Sequence, residues 1–155
     1  MGRGAEITRD EVKFTKFIQK LRKKFNILFN DILKTPIKVD AIIVSHHHSD
    51  HSNSAARASK KWGARLYANL ETTMRLGLEP ISQVRTFEGL ERLHISDDLS
   101  LLPVPVPHDD ADNVAVIASN GDGRRAAIVT DLGEPTIELM KHLSGCEHIS
   151  IEANY

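Results

Sequence analysis

Apolar residues along this chain follow two rhythms, and the change from one to the other predicts how it folds. Over residues 8–33 they recur every three or four positions, at Phe14, Phe17, Ile18, Leu21, Phe25, Leu28 and Ile32, which predicts an amphipathic helix. Thr8 and Glu11 have capping-box spacing at its start, and Pro36 ends it. Lys13, Lys16, Lys20, Lys23 and Lys24 share the opposite side, a pattern read more simply as a solvated face than as a phosphate or membrane contact. Beyond Pro36 the pattern shortens. Val39-Asp40-Ala41-Ile42-Ile43-Val44 reads as a buried strand, residues 53–62 as a helix ended by Gly63, and Arg65-Leu66-Tyr67-Ala68 as the next strand. Segments near 83–87, 92–96 and 99–106 read as further strands. Residues 113–119 and 125–130 are apolar runs joined by Asn120-Gly121-Asp122-Gly123, a hairpin signal. A helix is predicted over 134–143 and a strand over 148–152. Strands mixed with helices, without repeats, place the chain in the α/β or α+β class, with an N-terminal amphipathic helical segment over 1–36 and a domain over 37–155.

Bulk composition narrows this little. The 155 residues are 41% hydrophobic and 26% charged, enough for one domain with a core. A formal charge of -1 neither advertises nor excludes a polyanionic partner, so any nucleic-acid contact has to be local. Cys146 is the single cysteine and cannot form an internal disulfide, the N-terminus lacks a secretory h-region, and no apolar run approaches a membrane span. A cytoplasmic, reducing location and no membrane association are the expectation. A structural zinc held by several cysteines is excluded, which leaves a His/Asp site of the catalytic type as the natural metal chemistry.

Such a site is visible in Ser45-His46-His47-His48-Ser49-Asp50-His51, directly after the strand 39–44. As His46-x-His48-x-Asp50-His51, the run offers imidazoles at i and i+2 and then a carboxylate-imidazole pair. Zn²⁺ accepts both donor types at about 2.0–2.2 Å, so one loop can feed two adjacent cations. An exposed His-rich loop or an expression tag is the bland alternative, but tags sit at termini and are not preceded by a buried strand. Two more polar groups stand where an apolar strand meets its exit loop: His108 after Leu101-Leu102-Pro103-Val104-Pro105-Val106-Pro107, and Asp131 after Ala126-Ala127-Ile128-Val129-Thr130. The alternating prolines suit an edge position.

These motifs in this order resemble the metallo-β-lactamase-fold metallohydrolases. Together with Pro105-Val106-Pro107-His108-Asp109, Thr130-Asp131-Leu132-Gly133 and Ile151-Glu152-Ala153-Asn154, they look like the YycJ/WalJ-type branch, which is implicated in phosphodiester and exonuclease chemistry. The resemblance runs from about Asp40 to Tyr155 and implies a partial αββα sandwich. It further implies that His46, His48 and His108 hold one divalent cation, zinc or manganese, that Asp50 and His51 hold a second, and that Asp131 bridges both. Asp50 and Asp131 are the implied catalytic carboxylates. His47 occupies a variable position, and His94, His142 and His148 match no motif. Asp109, Asp110 and Asp112 could orient an imidazole. Family members usually place a Gly/Ser-rich hairpin and further strands before the His loop, where this chain has its basic helix, and they supply a late His to the second cation from a segment beyond the position of Tyr155. One sheet is therefore expected to be short of strands and the second cation short of a ligand.

The activity so implied is phosphodiester hydrolysis by a metal-bound hydroxide, with DNA or RNA among the substrates. A thioester or lactam hydrolase on the same scaffold is the enzymatic alternative, because the same hydroxide attacks a carbonyl. The alternative from another class is a truncated, catalytically inactive fragment that binds metal or a partner. A homodimer is compatible with the apolar face of residues 8–33.

Overall fold

The computed structural model describes residues 39–78, 83–109 and 111–152. The helix expected over 8–33 and the boundary at 36/37 lie outside the described residues, as do Asp110, Ala153 and Asn154. All the structure considered below belongs to Val39–Tyr155, one of two units into which the chain divides.

Three strands, β1 (Ala41–Ile43), β2 (Arg65–Asn69) and β3 (Val84–Phe87), form a parallel sheet in that order. Parallel neighbours need crossovers. Between β1 and β2 these are α1 (Ser49–Ser52) and α2 (Ala55–Trp62), and between β2 and β3 it is α3 (Leu70–Arg75). Gly63, with φ +64°, stops α2 in the left-handed conformation that glycine adopts without strain. Asn69 caps α3 by accepting the Thr72 N–H at 2.8 Å. Neither α3 nor the single turn α1 inside the His loop follows from the apolar pattern.

The second sheet has five strands, β4 (Leu93–Ser96), β5 (Leu99–Val106), β6 (Asn113–Asn120), β7 (Arg125–Val129) and β8 (His148–Ile151), in sequential order. All pairs are antiparallel except β7 with β8, which α4 (Ile137–Leu143) separates in sequence. The helix expected from residue 134 starts at Ile137, because Pro135 disfavours a helical residue before it and Thr136 caps the helix through a 3.0 Å bond from Leu139 N–H. The prolines of β5 sit where β4 has already ended, since β4 reaches only Leu101. Pro103 turns its carbonyl away from β6 to accept the Leu90 N–H at 2.7 Å, so the missing proline N–H costs the β5–β6 ladder nothing. The strand is interior at one end and an edge at the other.

Period-two alternation sorts the side chains into layers. Leu102, Val104 and Val106 of β5 join Ala115 and Ile117 of β6 against Leu139 and Leu143 of α4. Val114 of β6 points the other way, meeting Tyr67, Phe87 and Leu93 between the two sheets. On the far side of the parallel sheet, Val44, Leu66 and Ala68 pack on Ala55 of α2 and on Leu78. Helix, sheet, sheet and helix thus form an αββα sandwich. Fully buried Phe87 and Leu93 each contribute about 2–3 kcal/mol to its middle seam.

Candidate metal centre

Three strand ends converge at one edge of the sandwich. The loop after β1 carries His46, His48, Asp50 and His51, the loop after β5 carries His108, and the residues after β7 carry Asp131. His46, three residues past the end of β1, is completely buried, although imidazole is rarely so enclosed. Its Nδ1 pairs with Ser45 Oγ at 3.0 Å, and its Nε2 is buried without a hydrogen-bond partner. An unsatisfied ring nitrogen in a folded interior costs about 1–3 kcal/mol, so its lone pair is positioned for something other than protein.

Around it stand three more imidazoles. Ring centroids of His48, His51 and His108 lie 4.5, 4.4 and 4.9 Å from that of His46. The donor atoms form two groups, His46 with His48 and His108, and His46 with His51 and Asp131, each with all its atoms within 4.8 Å of one another. His108 Nε2 and His48 Nδ1 are 3.1 Å apart. A tetrahedral ion with bonds of about 2.0–2.1 Å sets its nitrogen ligands roughly 3.3 Å apart, so these two need almost no movement to share one. Asp131 Oδ2 lies 2.6 Å from His51 Nε2 and 3.7 Å from His46 Nε2, within the second group, and His46 is the donor that both groups share. The donor set fits a divalent cation.

Electrostatics agree with the geometry. Burial first, and then the neighbouring imidazoles of His51, His48 and His108, push the His46 pKa from 6.5 down to about 4; Asp131 opposes this without reversing it. His46 is therefore neutral at physiological pH, the form that donates a lone pair to a metal.

The remaining sequence expectations fall in different places. Asp50 is on α1 with its Oδ2 3.5 Å from His51 Nε2, but it is 79% exposed and belongs to neither three-donor group. His47 packs edge-on against His48, its Nδ1 buried and without a hydrogen-bond partner among the described residues. His142 pairs with Glu138 on α4 at 3.0 Å, while His94 and His148 are exposed on β4 and β8. Asp109 reaches only 3.9 Å from His108 Nε2 and is mostly exposed. Asp112 acts through its backbone, whose N–H donates to Glu71 Oε2 at 2.8 Å and whose carbonyl accepts from Asn69 Nδ2. Asn69, Glu71, Asn113 and Glu152, which buttress the ligand loops, were not marked as site residues by the sequence. The available signals were an Asn standing at the end or start of an apolar strand, as Asn69 and Asn113 do, and the place of Glu152 in the motif Ile151-Glu152-Ala153-Asn154, to which no role had been attached.

Comparison with known proteins separates the chain into two kinds of likeness. Solved structures that resemble it include Zn(2+)-bound PqqB from Methylobacterium extorquens, with a TM-score of 0.62 and 16% identity over 72% of this chain and 45% of that one. A diphosphatase from the PhnP family resembles it with a TM-score of 0.51 and 26% identity over 76% of this chain and 48% of that one. A B3 metallo-β-lactamase shares the architecture as well. The described residues therefore have the metallo-β-lactamase fold. Among curated proteins it is similar to exodeoxyribonuclease WalJ of Streptococcus pneumoniae, 28% identical over 139 residues, 86% of this chain and 51% of that protein. That supports the YycJ/WalJ-type branch, and the chain spans about half the length of these relatives. Residues 1–57 instead match the model for the bacteriophage T4-like portal protein (Gp20). The portal protein of Vibrio phage KVP40 is 55% identical over 42 residues, 27% of this chain and 8% of that protein. Nothing in the sequence reading had singled out this second likeness. Among the described residues no helix is long and apolar enough to cross a membrane.

Proposed function

We propose that the domain over 37–155 is a metal-dependent hydrolase of phosphodiesters, with a DNA strand as its substrate, and that 1–36 is a separate N-terminal segment. The observation that carries this reading is that two three-donor groups share the buried His46, the second of them closed by Asp131 Oδ2 at 2.6 Å from His51 Nε2. The names of two similar proteins, an exodeoxyribonuclease and a diphosphatase, favour phosphoester over acyl substrates.

Divalent cations bound there would supply hydroxide at neutral pH, since a metal lowers the pKa of water from 15.7 toward about 7. The chain's own residues do the rest. His46, His48 and His108 would present ring nitrogens to one ion, and His51 with Asp131 would hold the other, Asp50 being the further carboxylate in reach of His51. The Asp131 carboxylate accepts a hydrogen bond from the attacking water and so fixes its direction. Burial of His46 keeps the back of the site dry, which strengthens every charge interaction there. A cavity of about 340 Å³ opens beside His51, with Ser45 and Thr130 as its hydroxyls and Ile43, Val114, Val116 and Ile128 among its apolar walls. No serine or cysteine nucleophile is called for.

The test compares bis-p-nitrophenyl phosphate with a thioester and with nitrocefin, each with added Mn²⁺ or Zn²⁺. Chelator-sensitive turnover of the phosphodiester is expected. Turnover of the acyl substrates alone would replace the reading by acyl hydrolysis, and no turnover with fewer than two metal equivalents would replace it by an inactive metal-binding fragment.

A further inference from the structure

Asp131 has a backbone no glycine explains. Its φ is +50°, a left-handed conformation that costs a residue with a Cβ about 1 kcal/mol or more and persists only where the surroundings impose it. Two side chains from other strands grip the peptide units on either side of it. On the amino side, Asp131 N–H donates to Glu152 Oε2 at 3.1 Å, and Glu152, just past β8, is itself anchored by its N–H on Val129 carbonyl at 3.0 Å. Asn113 spans both peptide units, its Nδ2 donating to the Thr130 carbonyl on the amino side at 3.0 Å and to the Asp131 carbonyl on the carboxyl side at 3.1 Å.

Asn113 is only 2% exposed, so these bonds form where water does not compete. It also pairs in register with Val106, the last residue of β5, and its N–H closes the His108 loop on Ala111 carbonyl at 2.9 Å. One buried amide thus stands at the root of both ligand loops of the antiparallel sheet. Resting on the proposed metal site, we propose that Asn113 and Glu152 are positioning residues: they hold Asp131 in its left-handed conformation and so aim its carboxylate between His46 and His51. Neither side chain touches a donor atom of the site. Released from them, the peptide relaxes to negative φ and swings the carboxylate away from both imidazoles.

Stepwise Zn²⁺ titration of the metal-free protein against a chromophoric chelator, with amide hydrogen exchange at Asp131 followed by NMR, tests this. Glu152→Ala is the safer variant, because Glu152 is exposed and its loss leaves the core intact; Asn113→Ala removes the other grip. Each is expected to weaken the step that uses Asp131 by about 10- to 100-fold, to leave the step of His46, His48 and His108 unchanged, and to lose exchange protection at Asp131. Glu152→Gln, which keeps an acceptor oxygen, restores both. Unchanged binding and protection in both alanine variants overturns the proposal. So does parallel weakening of both steps with a lowered melting temperature, the mark of a merely structural role. If the wild type takes up no Zn²⁺ at all, the functional reading fails instead, and exchange at Asp131 in the metal-free variants still decides the grip.

Discussion

The two sheets feed the site in opposite ways. The parallel sheet supplies His46, His48 and His51 from one exit loop, so three imidazoles are close in space because they are close in sequence. The antiparallel sheet supplies His108 and Asp131 singly, from loops separated by the whole β6–β7 hairpin, and each loop is held by side chains from elsewhere. Glu71 and Asn69 brace the first, and Asn113 and Glu152 brace the second. A local ligand cluster carries its geometry within its own turn, whereas a dispersed one depends on tertiary order. The dispersed half is where the site is easiest to break.

Removing the dispersed carboxylate has the largest expected effect. Asp131→Ala should lower kcat/KM for bis-p-nitrophenyl phosphate by roughly 10³-fold or more, about 4 kcal/mol of transition-state stabilisation, with an unchanged circular dichroism spectrum. Retained turnover would take Asp131 out of the mechanism. Next comes acid, which acts on the local half. His46 has its pKa near 4 in the fold and 6.5 when unfolded, so between those values the unfolded chain binds a proton that the folded chain refuses. Stability of the metal-free protein is then full above pH 6.5 and falls toward pH 4, by up to about 3 kcal/mol. Urea unfolding at stepped pH reads it, and His46→Leu should lose this share of the dependence.

A smaller effect tests how the two dispersed loops touch. Gly133 N–H donates to Pro107 carbonyl at 2.8 Å, and a Cβ at Gly133 would lie 2.9 Å from that oxygen. Gly133→Ala should cost about 1–3 kcal/mol in denaturant unfolding as the loops part, with Zn²⁺ affinity reduced in the same variant. The smallest effect belongs to a feature remote from either half. Arg124 and Glu147 pair at 2.9 Å on the surface, and Arg124→Ala should leave both stability and turnover unchanged.

The same division governs what the sequence could say. Runs such as 99–106 and 113–119 announced their strands because alternation toward two different layers is written into every second residue. The His loop was legible for the same local reason, as were the strand-end positions of His108 and Asp131. The turn α1, the capped helix α3 and the later start of α4 were not, since each depends on a cap or a proline rather than on apolar spacing. Asn113 and Glu152 were opaque as supports, because a polar residue beside a strand looks the same whether it meets solvent or another loop's carbonyl. The likeness of residues 1–57 to a portal protein was opaque for a different reason: an amphipathic repeat reports a face to be covered and says nothing of ancestry.

The 3.1 Å link between the rings of His48 and His108 carries one last consequence. A hydrogen bond across that gap would use the proton of one nitrogen and the lone pair of the other, whereas a shared cation would take a lone pair from each. One of the two rings would therefore have to move its proton to its other nitrogen for such an ion to bind, so loading is coupled to a tautomer change as well as to distance.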